Sequence, residues 1–284
     1  MHAGAVPEWV GEGVDPARTL HSAKDDDANL VEVAWTSRGS GIRLTYSEGA
    51  TFYVAPSLGE LWMEWTPPLT EADAAHFLLE PVLAFVLRRR GTLVLHASGV
   101  AFGARGIAIC GDAGAGKSTT AGACLMAGAS LVSDDVLALG PAPDGWQLQP
   151  GTRACRVWDD GARALVGDPH RAPVFSPTWD KRVVAPAALG ASLADTPVPL
   201  ALVCVLSARS GAEPEVTRLR GYEAVRAVVP NTSAHWAQDV EQRAVELRSV
   251  ARLVTDVMVV RVVAPDEPAA LPHVAAAIRR AAGG

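Results

Sequence analysis

GDAGAGKS occupies Gly111–Ser118 and matches the pattern G-x-x-x-x-G-K-[ST] at every required position. The glycines let the backbone wrap with its N–H groups pointing inward at phosphate oxygens. In this pattern Lys117 reaches the β- and γ-phosphates, and the Ser118 hydroxyl ligates magnesium. The motif therefore predicts a site for ATP and Mg²⁺ in a P-loop. The contact residues that it predicts are Gly111, Asp112, Ala113, Gly114, Ala115, Gly116, Lys117, Ser118 and Thr119.

The sequence on both sides of the P-loop fits a strand before it and a helix after it. Apolar β-type segments cover Thr92–Leu95 and Gly106–Cys110, a helical pattern runs from Lys117 to about Ala127, and a further strand is predicted at Ser130–Val132. This order forms a βαβ unit with an implied parallel pairing, which indicates an α/β fold. The loop would deliver phosphate to the helix N-terminus, where the helix dipole favours an anion.

Polar residues follow two of these strands. Asp134 and Asp135 come directly after Leu131–Ser133, and His96 comes directly after Thr92–Leu95. A P-loop needs an acidic partner at the end of a neighbouring strand. One carboxylate is suited to hold the metal through water and the other to accept a proton from an attacking hydroxyl. An Asp-Asp turn and a structural histidine are the alternatives without chemistry.

Three motifs together resemble a known family. LHASGV at Leu95–Val100, the P-loop, and LVSDD at Leu131–Asp135 occur in the order and at the spacing of the kinase domain of HPr kinase/phosphorylase. The resemblance implies a phosphoenolpyruvate-carboxykinase-like P-loop fold, with a mixed sheet and flanking helices. It also implies transfer of phosphate to a serine hydroxyl.

The resemblance implies a role for each residue of the site. Asp134 would accept the proton of the nucleophile, and His96 and Asp135 would support it. Lys117 would stabilise charge on the transferring phosphoryl group, while Ser118 and Asp135 would hold the metal.

The clear match covers about 45 residues, from Leu95 to Leu139. The N-terminal domain and the signature loop of the bifunctional enzyme are not identified, so a reverse phosphorylase activity stays open. The overall plan is more similar to the HPr-kinase-like proteins of lasso-peptide biosynthesis clusters. Those proteins phosphorylate a C-terminal serine of a precursor peptide.

Three segments describe the domain organisation. Residues 1–28 are rich in Gly, Pro, Asp and Ala and are predicted to form a loosely ordered lead-in. Residues 29–69 are predicted to form a β-rich subdomain. Residues 70–284 are predicted to form the P-loop kinase domain, beginning with a helix over Thr70–Arg90. The strands predicted in the subdomain are Leu30–Trp35, Ile42–Tyr46, Thr51–Ala55 and Leu61–Trp65.

Charged residues beyond the core motifs supply further candidates. Phosphoryl transfer requires neutralisation of charge, so a cation from outside the P-loop is expected at the γ-phosphate. The candidates are Arg153, Arg156, Lys181 and Arg182, and Asp160 is a candidate for the metal shell. Ordinary solvated surface charge fits each of them equally well.

Composition excludes several classes of protein. The chain has 284 residues, 49% of them hydrophobic, and a net charge of −6, so it lacks the positive field that attracts nucleic acid. The longest apolar run, Val198–Leu206, is too short to span a membrane, and no secretory leader is identified. Four scattered cysteines indicate neither a zinc site nor a disulfide framework. A cytoplasmic protein is expected, and homo-oligomerisation stays open.

Three functions remain open on the sequence. The first is an ATP- and magnesium-dependent kinase acting on a serine of a peptide or protein. The second is a small-molecule hydroxyl kinase on the same fold, and the third is a nucleotide-gated binding protein with weak hydrolysis. The identity of the acceptor, and whether pyrophosphate replaces ATP, also stay open.

Overall fold

The computed structural model describes residues 2–3, 9, 13–24, 29–37, 41–176 and 179–283. The chain divides into two compact units. The first comprises Met1–Thr92, Ser176–Thr178 and Ser233–Glu241, and the rest of the chain forms the second. Residues 70–92 group with the first unit, whereas the sequence analysis assigned residue 70 onward to the P-loop domain.

A mostly antiparallel sheet forms the first unit. Its strands among the described residues are β1 (His2–Ala3), β2 (Leu20–Lys24), β3 (Leu30–Trp35), β4 (Ile42–Tyr46), β5 (Ala50–Val54) and β6 (Leu61–Trp65). Their order is β1-β6-β5-β4-β3-β2, and only β1 and β6 pair in parallel. Strands β3 to β6 coincide with the predicted ranges to within one residue.

The lead-in predicted over residues 1–28 differs from the structure where the chain is described. Residues 1, 4–8, 10–12 and 25–28 lie outside the described residues, but Leu20–Lys24 forms β2 and pairs with β3. The LHSAK sequence of β2 has no clear apolar alternation. Backbone pairing with β3, rather than a side-chain pattern, therefore defines this strand.

The helical segment of the first unit begins at a capping box. Thr70 accepts a hydrogen bond from the Asp73 backbone N–H, and Asp73 accepts from the Thr70 backbone. The segment comprises α1 (Glu71–Phe77), a π-helical turn (Leu78–Val82) and α2 (Leu83–Arg89). Pro81 lies inside the π turn and cannot donate a backbone hydrogen bond, which explains why the predicted helix is not regular throughout.

From residue 93 onward the chain forms a curled mixed sheet and a small separate one. The strands of this part are β7 (Leu93–His96), β8 (Ser98–Phe102), β9 (Arg105–Cys110), β10 (Ser130–Ser133), β11 (Val136–Ala142), β12 (Gly145–Leu148), β13 (Cys155–Val157), β14 (Val174–Ser176), β15 (Trp179–Val184), β16 (Val198–Leu206), β17 (Glu215–Leu219) and β18 (Met258–Val263). The large sheet runs β10-β8-β9-β16-β12-β11-β7, with β18 also on β16 and β17 on β18. β13, β15 and β14 form the small sheet.

Along the chain, the helices of this part lie between its strands or after the last strand. They are α3 (Lys117–Met126), α4 (Asp159–Val166), α5 (Gly221–Val228), α6 (Val240–Asp256) and α7 (Leu271–Ala281). α3 to α7 are the α-helices found in the described part of the chain beyond residue 93. None of the helices described in either unit is long and apolar enough to cross a membrane.

The predicted direct pairing of the strands on either side of the P-loop helix is wrong. β8 lies between β9 and β10 and is antiparallel to both. β9 and β10 therefore point in the same direction without being neighbours. The sequence hides β8 because only Ala97 separates it from β7, with no turn residue between them.

Strand β9 is buried on both faces. Ile107 and Ile109 belong to one apolar cluster, while Ala108 and Cys110 belong to another. This division follows the alternation of side chains along a strand. β9 also has a parallel neighbour, β16, so the strand that leads into the P-loop is held from the side as well as from both faces.

Candidate active site

The P-loop leaves the carboxyl end of β9 and ends at the first turn of α3. Gly111, Gly114 and Gly116 have φ angles of +150°, +77° and +92°, which glycine adopts without steric penalty. Gly116 is the N-cap of α3, and no side chain caps the helix. The first N–H groups of an α-helix have no acceptor within the helix and favour an anion bound at this end.

Lys117 lies across the loop. Its Nζ atom donates to the carbonyl oxygens of Gly111 at 2.9 Å and Asp112 at 3.3 Å. On the other side, Gly111 N donates to Asn231 Oδ1 at 2.7 Å. Asn231 Nδ2 in turn donates to the Ala227 carbonyl at 2.9 Å, so Asn231 joins the start of the loop to α5. Sequence reasoning missed Asn231, because no local motif marks it.

Strand register brings His96 to Asp135. His96 at the end of β7 pairs with Val136 at the start of β11, and Asp135 directly precedes Val136. The His96 Nδ1 and Asp135 Oδ1 atoms are 3.0 Å apart. Asp135 has a φ of +72°, a left-handed conformation that costs a non-glycine residue about 1–2 kcal/mol. Backbone strain of this kind concentrates at functional sites.

Asp134 lies deeper than Asp135 and is held by hydrogen bonds to its carboxylate. The side chain is buried, with 1% of its surface exposed. Ser98 Oγ donates to Oδ1 at 2.5 Å, and Arg156 N donates to Oδ2 at 2.9 Å. The Ser118 hydroxyl also hydrogen bonds to this carboxylate. Asp134 therefore links β8 and β13 to the end of the P-loop.

The two carboxylates have opposite electrostatic environments. Burial raises the pKa of Asp134 and the charge of Asp135 raises it further, although three hydrogen bonds oppose the rise. Burial also favours a higher pKa for Asp135, but His96, Lys181 and Lys117 outweigh burial and lower that pKa. Asp135 is therefore the ionised member of the pair, whereas Asp134 favours a nearby proton or cation.

The residues beside the P-loop fit a magnesium ion. The Ser118 hydroxyl and the Asp134 carboxylate are hard oxygen ligands, and a cation would offset the raised pKa of Asp134. No group of three or more His, Cys, Asp or Glu able to hold a metal occurs in the described part of the chain. Magnesium at this position would thus take phosphate and water oxygens as its other ligands, as is usual at triphosphate sites.

Two of the predicted outer cations have other contacts. Arg153 Nη1 lies 3.0 Å from Asp195 Oδ1 in an exposed ion pair. The Arg156 guanidinium lies 4.3 Å from the centre of the Phe175 ring, and the residue reaches Asp134 through its backbone N–H. Asp195 and Phe175 both lie outside the P-loop. Arg156 instead donates its backbone N–H to Asp134, a role that differs from the predicted contact of its charge with the γ-phosphate.

Lys181 is the outer cation that acts on the carboxylate pair. It lowers the pKa of Asp135, and its Nζ atom lies 5.8 Å from the centre of the Trp158 ring. Arg182 is instead bound to Asp159, with Nε 2.7 Å from Oδ1. Asp160 lies at the start of α4 and lines a cavity beside the P-loop.

Arg209 is a cation that sequence reasoning missed. It follows β16, and β16 is parallel to β9, so both strands end at the same edge of the sheet. A Cβ atom added to Gly116 would lie 2.8 Å from Arg209 Nη2, which shows that the guanidinium lies against the loop. The strand order was needed to find it, since Arg209 is remote from the P-loop in sequence.

A cavity of about 110 Å³ lies next to the P-loop. It has apolar walls from α7 and the segment before it, and charged groups at Arg209, Asp160, Asp266 and Glu267. Ala115, Gly116, Thr119, Ala264, Pro265 and Leu271 are among its lining residues. It is smaller than the roughly 300 Å³ or more of a typical ligand pocket, so it can enclose only part of a nucleoside.

No protein-family model matches the chain, and no curated protein is similar enough to match it. Solved structures do match, among them one described as "Structure of the Hpr(Ser) kinase/phosphatase from Coxiella burnetii". That match has 14% sequence identity and a TM-score of 0.35, and it covers 67% of this chain and 99% of the other. A likeness at this level assigns no function to the chain.

Proposed function

We propose that this chain is an ATP- and magnesium-dependent phosphotransferase that moves the γ-phosphate to a serine hydroxyl of a peptide or protein. The observation that carries the proposal is the meeting of three groups at one edge of the sheet. These are the P-loop with Lys117 and Ser118, the buried Asp134, and the Asp135–His96 pair. A loop that only bound nucleotide would not need a strained, ion-paired carboxylate beside it.

The geometry favours a division of roles between the carboxylates that reverses the one implied by the family resemblance. Asp134 is 1% exposed and its carboxylate contacts the Ser118 hydroxyl, so it lies beside the magnesium ligand of the P-loop but out of reach of an acceptor serine. The Asp135 side chain is 11% exposed and its partner His96 is 22% exposed, so an entering hydroxyl can reach them. We therefore assign proton acceptance to Asp135, oriented by His96. Asp134 and Ser118 are the residues that would hold magnesium.

The proposed reaction is an in-line displacement at phosphorus. The serine oxygen bonds to the γ-phosphorus while the bond to the β–γ bridging oxygen breaks, and the electron pair leaves with ADP. The proton of the hydroxyl goes to the Asp135 carboxylate. Lys117, Arg209 and the N–H groups at the start of α3 stabilise the charge on the transferring group. Bound magnesium supplies further neutralisation of the phosphate charge.

A transfer assay tests the proposal. Purified protein is incubated with γ-labelled ATP, Mg²⁺ and a panel of serine peptides that includes one ending in serine, the acceptor suggested by the resemblance to lasso-peptide kinases. Small hydroxyl compounds are tested in parallel as acceptors, and pyrophosphate is tested as the donor in place of ATP. Labelled peptide is the expected product. Labelled small molecules instead would indicate the small-molecule kinase, and firm ATP binding with no labelled acceptor would indicate a nucleotide-gated binding protein.

Two matched variants test the division of roles. We expect Asp135→Asn to lower kcat by about 10²- to 10⁴-fold while Mg²⁺-dependent ATP binding is retained, because the variant removes the proton acceptor and its ion pair with His96 but neither proposed magnesium ligand. We expect Asp134→Asn to weaken the Mg²⁺ dependence of ATP binding itself. Full transfer by Asp135→Asn would contradict the assignment, and so would unchanged Mg²⁺ dependence in Asp134→Asn.

A further inference from the structure

A second cavity, of about 490 Å³, shares Asp160 with the cavity beside the P-loop. It is lined by Trp158, Asp159, Asp160, Val174, Asp180 and Arg182, and we call it the acidic groove. We propose that the acidic groove docks a basic polypeptide segment of the acceptor, with an apolar side chain of that segment against Trp158 and Val174. This inference rests on the proposed function and names the class of its acceptor.

The apolar part of the groove is exposed on two different elements. Trp158 precedes α4 and is 54% exposed, and Val174 begins β14 and is 49% exposed. A single exposed apolar residue is ordinary, but two that line one cavity form an apolar surface whose exposure to water is unfavourable. Tryptophan in such a position is the commonest kind of binding hot spot.

The charge of the groove selects the kind of partner. Three aspartates and one arginine line it, and Lys181 lies over the Trp158 ring, so these five groups have a formal charge of −1. Arg182 is bound to Asp159, so Asp160 and Asp180 carry the excess negative charge. A segment with lysine or arginine near its apolar side chain complements this pattern, and an acidic segment is repelled.

The groove also borders the reaction centre. Lys181 lies between Asp180 and Arg182 in β15, its Nζ atom is over the Trp158 ring, and its charge acts on Asp135. Asp160 lines both the acidic groove and the cavity beside the P-loop. A segment held at Trp158 is thus next to Lys181, whose charge acts on Asp135, and close to the nucleotide side of the site through Asp160. An apolar centre with a charged rim is typical of a surface that binds polypeptide.

Direct binding tests the groove independently of chemistry. Two labelled peptides of equal length share a central Leu-Ser-Leu and differ only in their flanks, which are lysines in one and glutamates in the other. Their affinities are measured by fluorescence anisotropy in the presence of Mg²⁺ and ADP. We expect the lysine peptide to bind at least about tenfold more tightly at low salt, with the difference shrinking as salt is added.

Substitutions then locate the binding surface. Trp158→Ala is expected to weaken binding of the lysine peptide by at least about tenfold. Tyr222→Ala is a matched control, because Tyr222 is an aromatic residue of the same unit that is 76% exposed. Asp180→Lys is expected to reduce or reverse the preference between the peptides. Val174→Ser provides a second apolar test if Trp158→Ala unfolds, which thermal unfolding will show.

The outcomes separate the groove from the proposed function. Equal binding of the two peptides, binding of neither, or equal effects of Trp158→Ala and Tyr222→Ala would each overturn the acidic groove. Tight lysine-peptide binding that depends on Trp158 would support it even if no phosphate were transferred. In that case only the proposed kinase activity would fail.

Discussion

Replacing Asp134 with asparagine is expected to stabilise the nucleotide-free protein. The carboxylate is buried beside a second carboxylate, and both effects raise its pKa. Asparagine keeps the shape of the side chain and most of its hydrogen bonds. Its Oδ1 can accept from Arg156 N, and its amide can donate to Ser98 Oγ, because a hydroxyl both donates and accepts.

The pH dependence follows from the direction of the shift. A carboxyl group with a raised pKa favours the folded state below its ordinary value of 3.8, and that contribution is lost as pH rises through the raised pKa. The gain from Asp134→Asn is therefore absent at acid pH and complete at neutral pH. Relief of buried-group desolvation is worth about 1–3 kcal/mol. For a chain of this size we expect a rise in Tm of about 2–10 °C.

Thermal and urea unfolding of both proteins at several pH values measure this effect. Mg²⁺ with ADP should stabilise the wild type more than the variant, because the wild-type carboxylate gains a cation on binding. Asp144→Asn is a suitable control, since Asp144 is an exposed aspartate in the turn between β11 and β12. A less stable Asp134→Asn protein at neutral pH, or a gain that does not vary with pH, would refute the reasoning.

Three further substitutions probe the site. Gly116→Ala would place a side chain at a φ of +92°, with its Cβ atom 2.8 Å from Arg209 Nη2. We therefore expect ATP binding, measured by calorimetry, to be at least about tenfold weaker. The free energy of unfolding should fall by about 1 kcal/mol. Asn231→Ala leaves the buried Gly111 N–H without its acceptor and should cost about 1–3 kcal/mol in urea unfolding. His96→Gln removes the main charge that lowers the pKa of Asp135, so the acid limb of the kcat/KM profile should move to higher pH; an unmoved limb would separate His96 from catalysis.

The P-loop region was predictable from sequence because its signals are local. The strand before Gly111, the helix after it and the carboxylates after the next strand all lie close to their predicted positions. The sequence placed His96 and Asp135 each after a predicted strand and the family resemblance gave both a supporting role, but their direct contact was not predicted. The structure explains it by the pairing of His96 with Val136.

What the sequence did not show depends on contacts between remote segments. β8 is separated from β7 by one residue, so its insertion between β9 and β10 has no sequence signal. Arg209 reaches the P-loop because it follows β16, which pairs with β9. Asn231 reaches the loop because it is bound to α5, which is far from the loop in sequence. The roles of the outer charges depend on their partners. Arg153 and Lys181 look alike in sequence, but one pairs with Asp195 and the other acts on Asp135.

The fate of the γ-phosphate tests the central claim most directly. In a single turnover with γ-labelled ATP, Mg²⁺ and the panel of serine peptides, we predict that the label appears on a peptide serine. The Asp135→Asn protein should bind the same ATP and transfer about 10²- to 10⁴-fold more slowly. Label that stays on ATP or is released only as inorganic phosphate, with no serine or other hydroxyl labelled, would contradict the account.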